Sequence, residues 1–220
     1  DILTLPALSL ASSIALVDSI NNLVIILLAS LTTGGAVVVS QYVGRQDPEN
    51  GRLAARQLFY ASTALMIVLA AVAVVFRHGI LRLIYGNIDE TVMRGAMTYF
   101  LLTAFSFPFL AVYNSCAALF RSMGNSKVSM LASLLMNVIN ITGNAILIYI
   151  FDWGVAGAAT ATLCARAIAA LLILRLIRSR ANVIYLENLR FVSLNFAMVR
   201  RILSVGIPSG IESSIFQIGK

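Results

Sequence analysis

The stretch Val128–Phe151 reads VSMLASLLMNVINITGNAILIYIF and carries no charged residue. A helix needs about 20 apolar residues to cross a bilayer, so this run is long enough to span. Four more runs of this kind flank it. Ser19–Gly44, Gln57–Phe76 and Gly95–Phe120 are uncharged, and Trp153–Leu174 is broken once, by Arg166. A sixth run opens at Ile202, is interrupted by Glu212 and still continues at Lys220. The alternating apolar–polar pattern of membrane β-strands is absent, which argues against a barrel. The expected fold is all-α: a polytopic membrane bundle of five complete transmembrane helices and the start of a sixth.

Composition supports this. Of the 220 residues 60% are hydrophobic and only 11% charged, and the mean hydropathy is +0.91. Soluble domains average about 25% charged residues, so this chain could not cover a water-facing surface. Disorder, coiled coil and a disulfide scaffold are excluded. Cys116 and Cys164 lie in apolar runs and read as buried free thiols. The chain opens at Asp1 without Met and ends inside an apolar stretch, so a fragment of a longer protein is expected.

The net charge of +7 reads as basic loops beside anionic lipid rather than as a nucleic-acid surface. On one side of the membrane the loops hold Arg45, Arg52, Arg56, Arg121, Lys127, Arg175, Arg178, Arg180, Arg190, Arg200 and Arg201; on the other, only Arg77, Arg82 and Arg94. Basic loops stay cytoplasmic, so the eleven-to-three imbalance runs the first helix from outside to inside. His78, the single histidine, then falls in an outer loop. The Arg178–Arg201 stretch mixes Leu189, Phe191, Val192, Phe196 and Val199 with charge. It reads either as an amphipathic cytoplasmic linker at headgroup level or as a solvated loop, with Asn195 placed to cap a short helix. Residues 1–178 form one lobe, 179–201 the linker and 202–220 the start of a second lobe.

Polar groups inside a bilayer are costly and mark function. Asp18 and Asn22 share one face of the first helix, as either a site or an interfacial pair. Thr32-Thr33-Gly34-Gly35 permits a bend or a close neighbour. Pro108 interrupts the third helix, with Tyr113 and Asn114 two turns on, framing either a cavity or a packing kink. Asn137, Asn140 and Asn144 fall at i, i+3 and i+7 on one face. Their carboxamides can ligate a cation, bind a substrate or bond a neighbouring helix. Gly157, Ala161 and Ala165 make a small-residue stripe for close packing. Thr162 precedes Arg166 by one turn; Arg166 is either deep and paired or, as favoured here, snorkelling inward. Pro208 suits a helix start, with Glu212 as an ion or proton site. No nucleotide loop, metal cluster or nucleophile triad is present. An intramembrane enzyme would need a catalytic pair that the helices lack.

Several stretches together resemble one family. Ala15–Leu23, Thr33-Gly34-Gly35 and Ser40–Arg45 are similar to the second helix of multidrug and toxic compound extrusion (MATE) transporters. Leu119–Lys127 resembles that family's Arg-x-x-Gly-[Asp/Asn]-[Ser/Thr]-Lys loop. Asn137–Asn144 resembles its fifth helix, Gly154–Thr162 the start of its sixth and Gly206–Glu212 its seventh. The resemblance implies twelve helices in two lobes, of which this chain supplies the second through sixth and part of the seventh; the rest of the same chain, the C-terminal lobe, is the implied partner. It further implies a multi-pass protein of the cytoplasmic membrane, without cofactor, that exchanges Na⁺ or H⁺ for an organic, often cationic, compound. The implied cation-coupling residues are Asn140, Asn144 and Thr162, with Asp18 as a source of charge. Tyr113, Asn114, Asn137, Asn22 and Glu212 are taken as the substrate cavity. Asn144 stands where many members have Asp. A lipid-linked oligosaccharide flippase of the same superfamily is the alternative, and would require a strongly basic cavity.

Overall fold

A computed structural model describes residues 4–85, 90–186 and 195–218. The helices are α1 (Thr4–Gly44), α2 (Pro48–Tyr85), α3 (Glu90–Ser122), α4 (Ser126–Asn144), α5 (Gly154–Ile177) and α6 (Phe196–Ile218), and α4 runs on into a π-helical segment, Ala145–Ile150. Among the described residues five helices are long and apolar enough to cross a membrane. Hydrocarbon offers no water to the backbone, so only structures that satisfy every N–H and C=O internally can span it.

The helices outrun the uncharged stretches. α2 continues through Arg77, His78 and Arg82 to Tyr85. At 1.5 Å per residue it measures about 57 Å, nearly twice the hydrocarbon thickness. His78 is therefore helical and does not lie in a loop; the turn at residues 86–89 lies outside the described residues. α3 remains one helix through Pro108.

The turns follow from capping chemistry. Asp47 accepts from the Asn50 backbone N–H at 3.2 Å and from the Asn50 side chain at 2.7 Å. It caps α2 while Pro48 takes the first helical position, where no N–H is needed. The Asn50 side-chain and backbone bonds together hold the Asp47 carboxyl below the usual carboxylate range. α3 closes with Asn125 N–H donating to the Phe120 carbonyl at 2.9 Å, and Gly124 supplies the required left-handed conformation with φ 77°. α1 closes in the same way with Gln46 at φ 55°.

α3 is the central helix and packs against α1, α2 and α5; α4 packs mainly on α5, and α6 mainly on α1. Small residues set these distances. On α5, Gly157, Ala161, Ala165 and Ala169 are all buried, the stripe expected from their spacing. A Cβ at Gly143 would lie 3.0 Å from the Ala161 Cβ, so α4 also runs close to α5. Where α1 crosses α6, a Cβ at Gly34 would strike the Ile202 carbonyl oxygen, and one at Gly206 would lie 2.7 Å from the Ser30 carbonyl oxygen. The Ser30 hydroxyl donates to the Gly206 carbonyl across this crossing. Gly34 thus serves a close neighbour. Cys116 is buried as expected, whereas Cys164 is exposed on α5.

Between α5 and α6, residues 184–186 and Asn195 are docked rather than free. Ile184 and Leu186 are buried. Ile184 N–H donates to the Met123 sulfur at 3.3 Å, and the Arg52 guanidinium lies 4.2 Å above the Tyr185 ring. Asn195 N–H donates to Gln57 Oε1 at 3.0 Å, while Asn195 Oδ1 accepts from Met198 N–H at 3.2 Å and caps α6. α6 therefore begins at Phe196, inside the stretch read as linker, and is unbroken across position 202. Arg201 donates to the Tyr42 hydroxyl at 2.8 Å and to Gln41 Oε1 at 3.1 Å. Leu189, Arg190, Phe191 and Val192, which suggested an amphipathic linker, lie outside the described residues. These contacts gather residues 41–57, 123, 184–186 and 195–201 on one face of the bundle.

Two outcomes follow from this packing. Gly34→Leu would force α1 from α6, and overpacking of this kind costs about 1–3 kcal/mol or more; the detergent-solubilised variant should show a clearly lowered midpoint of thermal unfolding. For the topology, a cysteine at Gly124 would be strained by its positive φ, so the reporter belongs at Asn125. In a cysteine-free background Asn125→Cys should resist an impermeant thiol reagent added outside intact cells and react once the membrane is opened.

Candidate functional site

Between α3, α4 and α5 lies a half-open cavity of about 240 Å³ lined by Tyr99, Met136, Asn137, Asn140, Thr162, Ala165 and Arg166. Arg166 sits about 18 Å along α5 from Gly154, halfway through the helix. It does not snorkel: its guanidinium donates to Ser106 Oγ on α3 at 2.6 Å. A guanidinium at membrane depth persists only with partners, and besides this bond Arg166 lies within electrostatic reach of the Asp18 carboxylate.

The carboxamides form a directed chain. Asn144 Nδ2 donates to Asn140 Oδ1 at 3.3 Å, Asn140 Nδ2 to Thr162 Oγ1 at 3.1 Å, and Thr162 Oγ1 to the Ala158 carbonyl at 3.0 Å. The chain joins α4 to α5 and ends on backbone. Its other end is Asn144 Oδ1, which is buried and takes no hydrogen bond within the protein. An unmet buried acceptor costs about 1–3 kcal/mol, so this oxygen is poised for a cation or a donor. The π-helical segment starts at the next residue. Such segments are rare and concentrate at functional positions.

A second polar pair adjoins the first. The Tyr99 hydroxyl donates to Asp18 Oδ1 at 3.3 Å, and Asn21 Nδ2 donates to the same oxygen at 3.4 Å. Tyr99 also lies beside Thr162, which places the Asp18 carboxylate next to the carboxamide chain. α1 begins at Thr4, which puts Asp18 well inside the helix rather than at its start.

Of the residues singled out from the sequence, Asn137, Asn140 and Thr162 line the cavity; Asn144 and Asp18 join its hydrogen-bond network. The others do not reach it. Tyr113 is buried in the apolar core with Phe59, Cys116 and Phe120. Asn114 turns back on its own helix and donates to the Leu110 carbonyl at 2.9 Å. Asn22 is exposed on α1 beside the buried Asn21, and Glu212 is exposed on α6 next to Pro208, Ile211 and Ile215. A polar residue one or two turns from a kink is free to point either way, and spacing within one helix does not tell which face is inside. Tyr99 and Ser106 were missed. Their signal was weak but real, since a tyrosine hydroxyl in an apolar run needs a partner.

A polar, hydrogen-bonded cavity within a bundle of five helices of membrane-spanning length is the frame of a multi-pass membrane protein. The family model MatE matches residues 3–146, and the chain belongs to that family. The uncharacterized transporter YisQ of Bacillus subtilis is 25% identical over 215 residues, covering 95% of this chain and 46% of its own length. The multidrug export protein MepA of Staphylococcus aureus is 27% identical over 182 residues, or 82% of this chain and 39% of its own. Among solved structures, the inward-facing conformation of a multidrug resistance MATE family transporter of the MOP superfamily superposes with a TM-score of 0.84 at 25% identity, covering 92% of this chain and 46% of that one. An outward-facing conformation gives 0.82 at 24% identity, covering 90% and 44%. The chain thus spans less than half the length of the curated relatives it matches.

The Asn140–Thr162 bond is measurable. Interhelical hydrogen bonds in membranes are worth about 0.6–2 kcal/mol. A double-mutant cycle of Asn140→Ala and Thr162→Val, read by unfolding in bicelles, should return a coupling energy of about 1 kcal/mol.

Proposed function

We propose that the whole protein is a cation-coupled exporter of small organic molecules in the cytoplasmic membrane, working by alternating access, and that Asn140, Asn144, Thr162 and Asp18 form its coupling site. The observation that carries this reading is the unpartnered Asn144 Oδ1 at the head of a carboxamide–hydroxyl chain within the membrane. Asn140 orients Asn144 by accepting from its amide, and Thr162 fixes Asn140. Asp18 supplies the ionisable group, either taking a proton or offsetting the charge of Na⁺; with neutral ligands alone Na⁺ would be held weakly.

Alternating access requires a lobe that moves as one piece. The likeness of this chain to both an inward-facing and an outward-facing MATE transporter supports a fold kept through the cycle. Entry of the cation favours one state and the organic molecule the other, so each must bind the two states differently. The flippase alternative calls for a strongly basic cavity, and Arg166 is the single basic residue lining this one.

The test uses the whole protein in proteoliposomes under an imposed Na⁺ or H⁺ gradient. Asn140→Ala should abolish gradient-driven export while the protein remains folded in the membrane. Export that survives in both Asn140→Ala and Asn144→Ala, with its dependence on the gradient intact, would reduce these residues to packing.

A further inference from the structure

We propose that the cavity takes the carboxylate group of an organic anion, and that Arg166 is the residue that selects it. This rests on the reading of the whole protein as an exporter and names the substrate class of the cavity beside its coupling residues.

Of the seven lining residues only Arg166 is charged; Asn137, Asn140 and Thr162 are neutral, as are Tyr99, Met136 and Ala165. An organic cation held in this space would need a carboxylate or an aromatic cage at its wall. Here the nearest carboxylate, Asp18, is not among the lining residues, and its Oδ1 already accepts from Tyr99 and Asn21. Position 144, one turn beyond Asn140, holds a carboxamide and adds no negative charge.

The guanidinium is a planar fork of donors that pairs with a carboxylate through two parallel bonds. Ser106 on α3 accepts from one terminal nitrogen and anchors the guanidinium. Asn137 on α4 lines the same cavity, and its amide can donate to the same anion. In the low dielectric of the bundle such charge-assisted bonds outweigh their counterparts in water. The volume, about 240 Å³, lies below the range of a full drug-sized pocket. It fits the acidic head of a substrate or one small aromatic acid.

The charge also suits the proposed exchange. An organic anion leaving the cell and a cation entering both move with an inside-negative membrane potential. Exclusion of one by the other then arises from the small volume rather than from like charge.

The probes are benzoate and benzylammonium, which share a ring and differ in the sign of charge. Their binding to the whole protein in nanodiscs is measured by equilibrium dialysis. Benzoate should bind at least about tenfold more tightly than benzylammonium, and Arg166→Gln should weaken benzoate by about tenfold or more. Arg166→Lys keeps the charge without the fork and should fall between wild type and Arg166→Gln. Absent benzoate binding, equal or tighter benzylammonium binding to the wild type, or benzoate affinity kept within about twofold in Arg166→Gln would overturn the assignment. Because the readout is binding, benzoate held through Arg166 without any gradient-driven export would keep the anion site and remove the exporter.

Discussion

In hydrocarbon a polar group without a partner costs several kcal/mol, and water cannot supply one. Most hydroxyls of this chain meet that constraint locally. Thr32, Ser62, Thr103, Ser115, Thr160 and Thr162 all donate to a carbonyl four residues back on their own helix. Thr162 in addition accepts from Asn140 on α4, and Ser62 and Ser115 bond each other across α2 and α3. The candidate site is built instead from side chains that bond other side chains: Asn144 to Asn140, Asn140 to Thr162, Arg166 to Ser106, and Tyr99 and Asn21 to Asp18.

Small residues decide how close those helices come. Alanine and glycine on α5 let it lie against α3, which brings Arg166 to Ser106 and Tyr99 to Thr162. α4 is held more loosely, with Ser129 and Ala132 its buried residues. Tight packing on one side of α5 and looser packing on the other leaves the space that becomes the cavity. The π-helical segment after Asn144 shifts the register of α4 at its end, so the residues beyond it present a different face from the one that carries the asparagines.

α1 ties the cavity to the opposite end of the molecule. It holds Asp18 beside Tyr99, and toward its C-terminus it meets α6 through Ser30, Gly34, Gln41 and Tyr42. These contacts have no slack. Backbone lies against backbone at Gly34 and Gly206, so a shift of α6 is a shift of α1. Ile184, Tyr185 and Asn195 are pinned to the same end.

The sequence by itself determined the helices, their number and their order, because uncharged runs of sufficient length have one stable form in a membrane. It also picked out Asn140, Asn144 and Thr162, since carboxamides at i, i+4 can bond each other and a short connection makes α4 and α5 neighbours. Rotation of each helix about its axis was another matter. Tyr113, Asn114, Asn22 and Glu212 are as polar as the residues of the site, yet packing turned them into the core, onto their own backbone or outward. Arg166 gave no sign from its position alone, because a long side chain can reach the interface or a partner with equal ease. Ser106, a serine unremarkable in the sequence, decided the matter by standing where α3 and α5 touch. Local spacing fixes which residues share a face; which face looks inward depends on contacts between residues far apart in the chain.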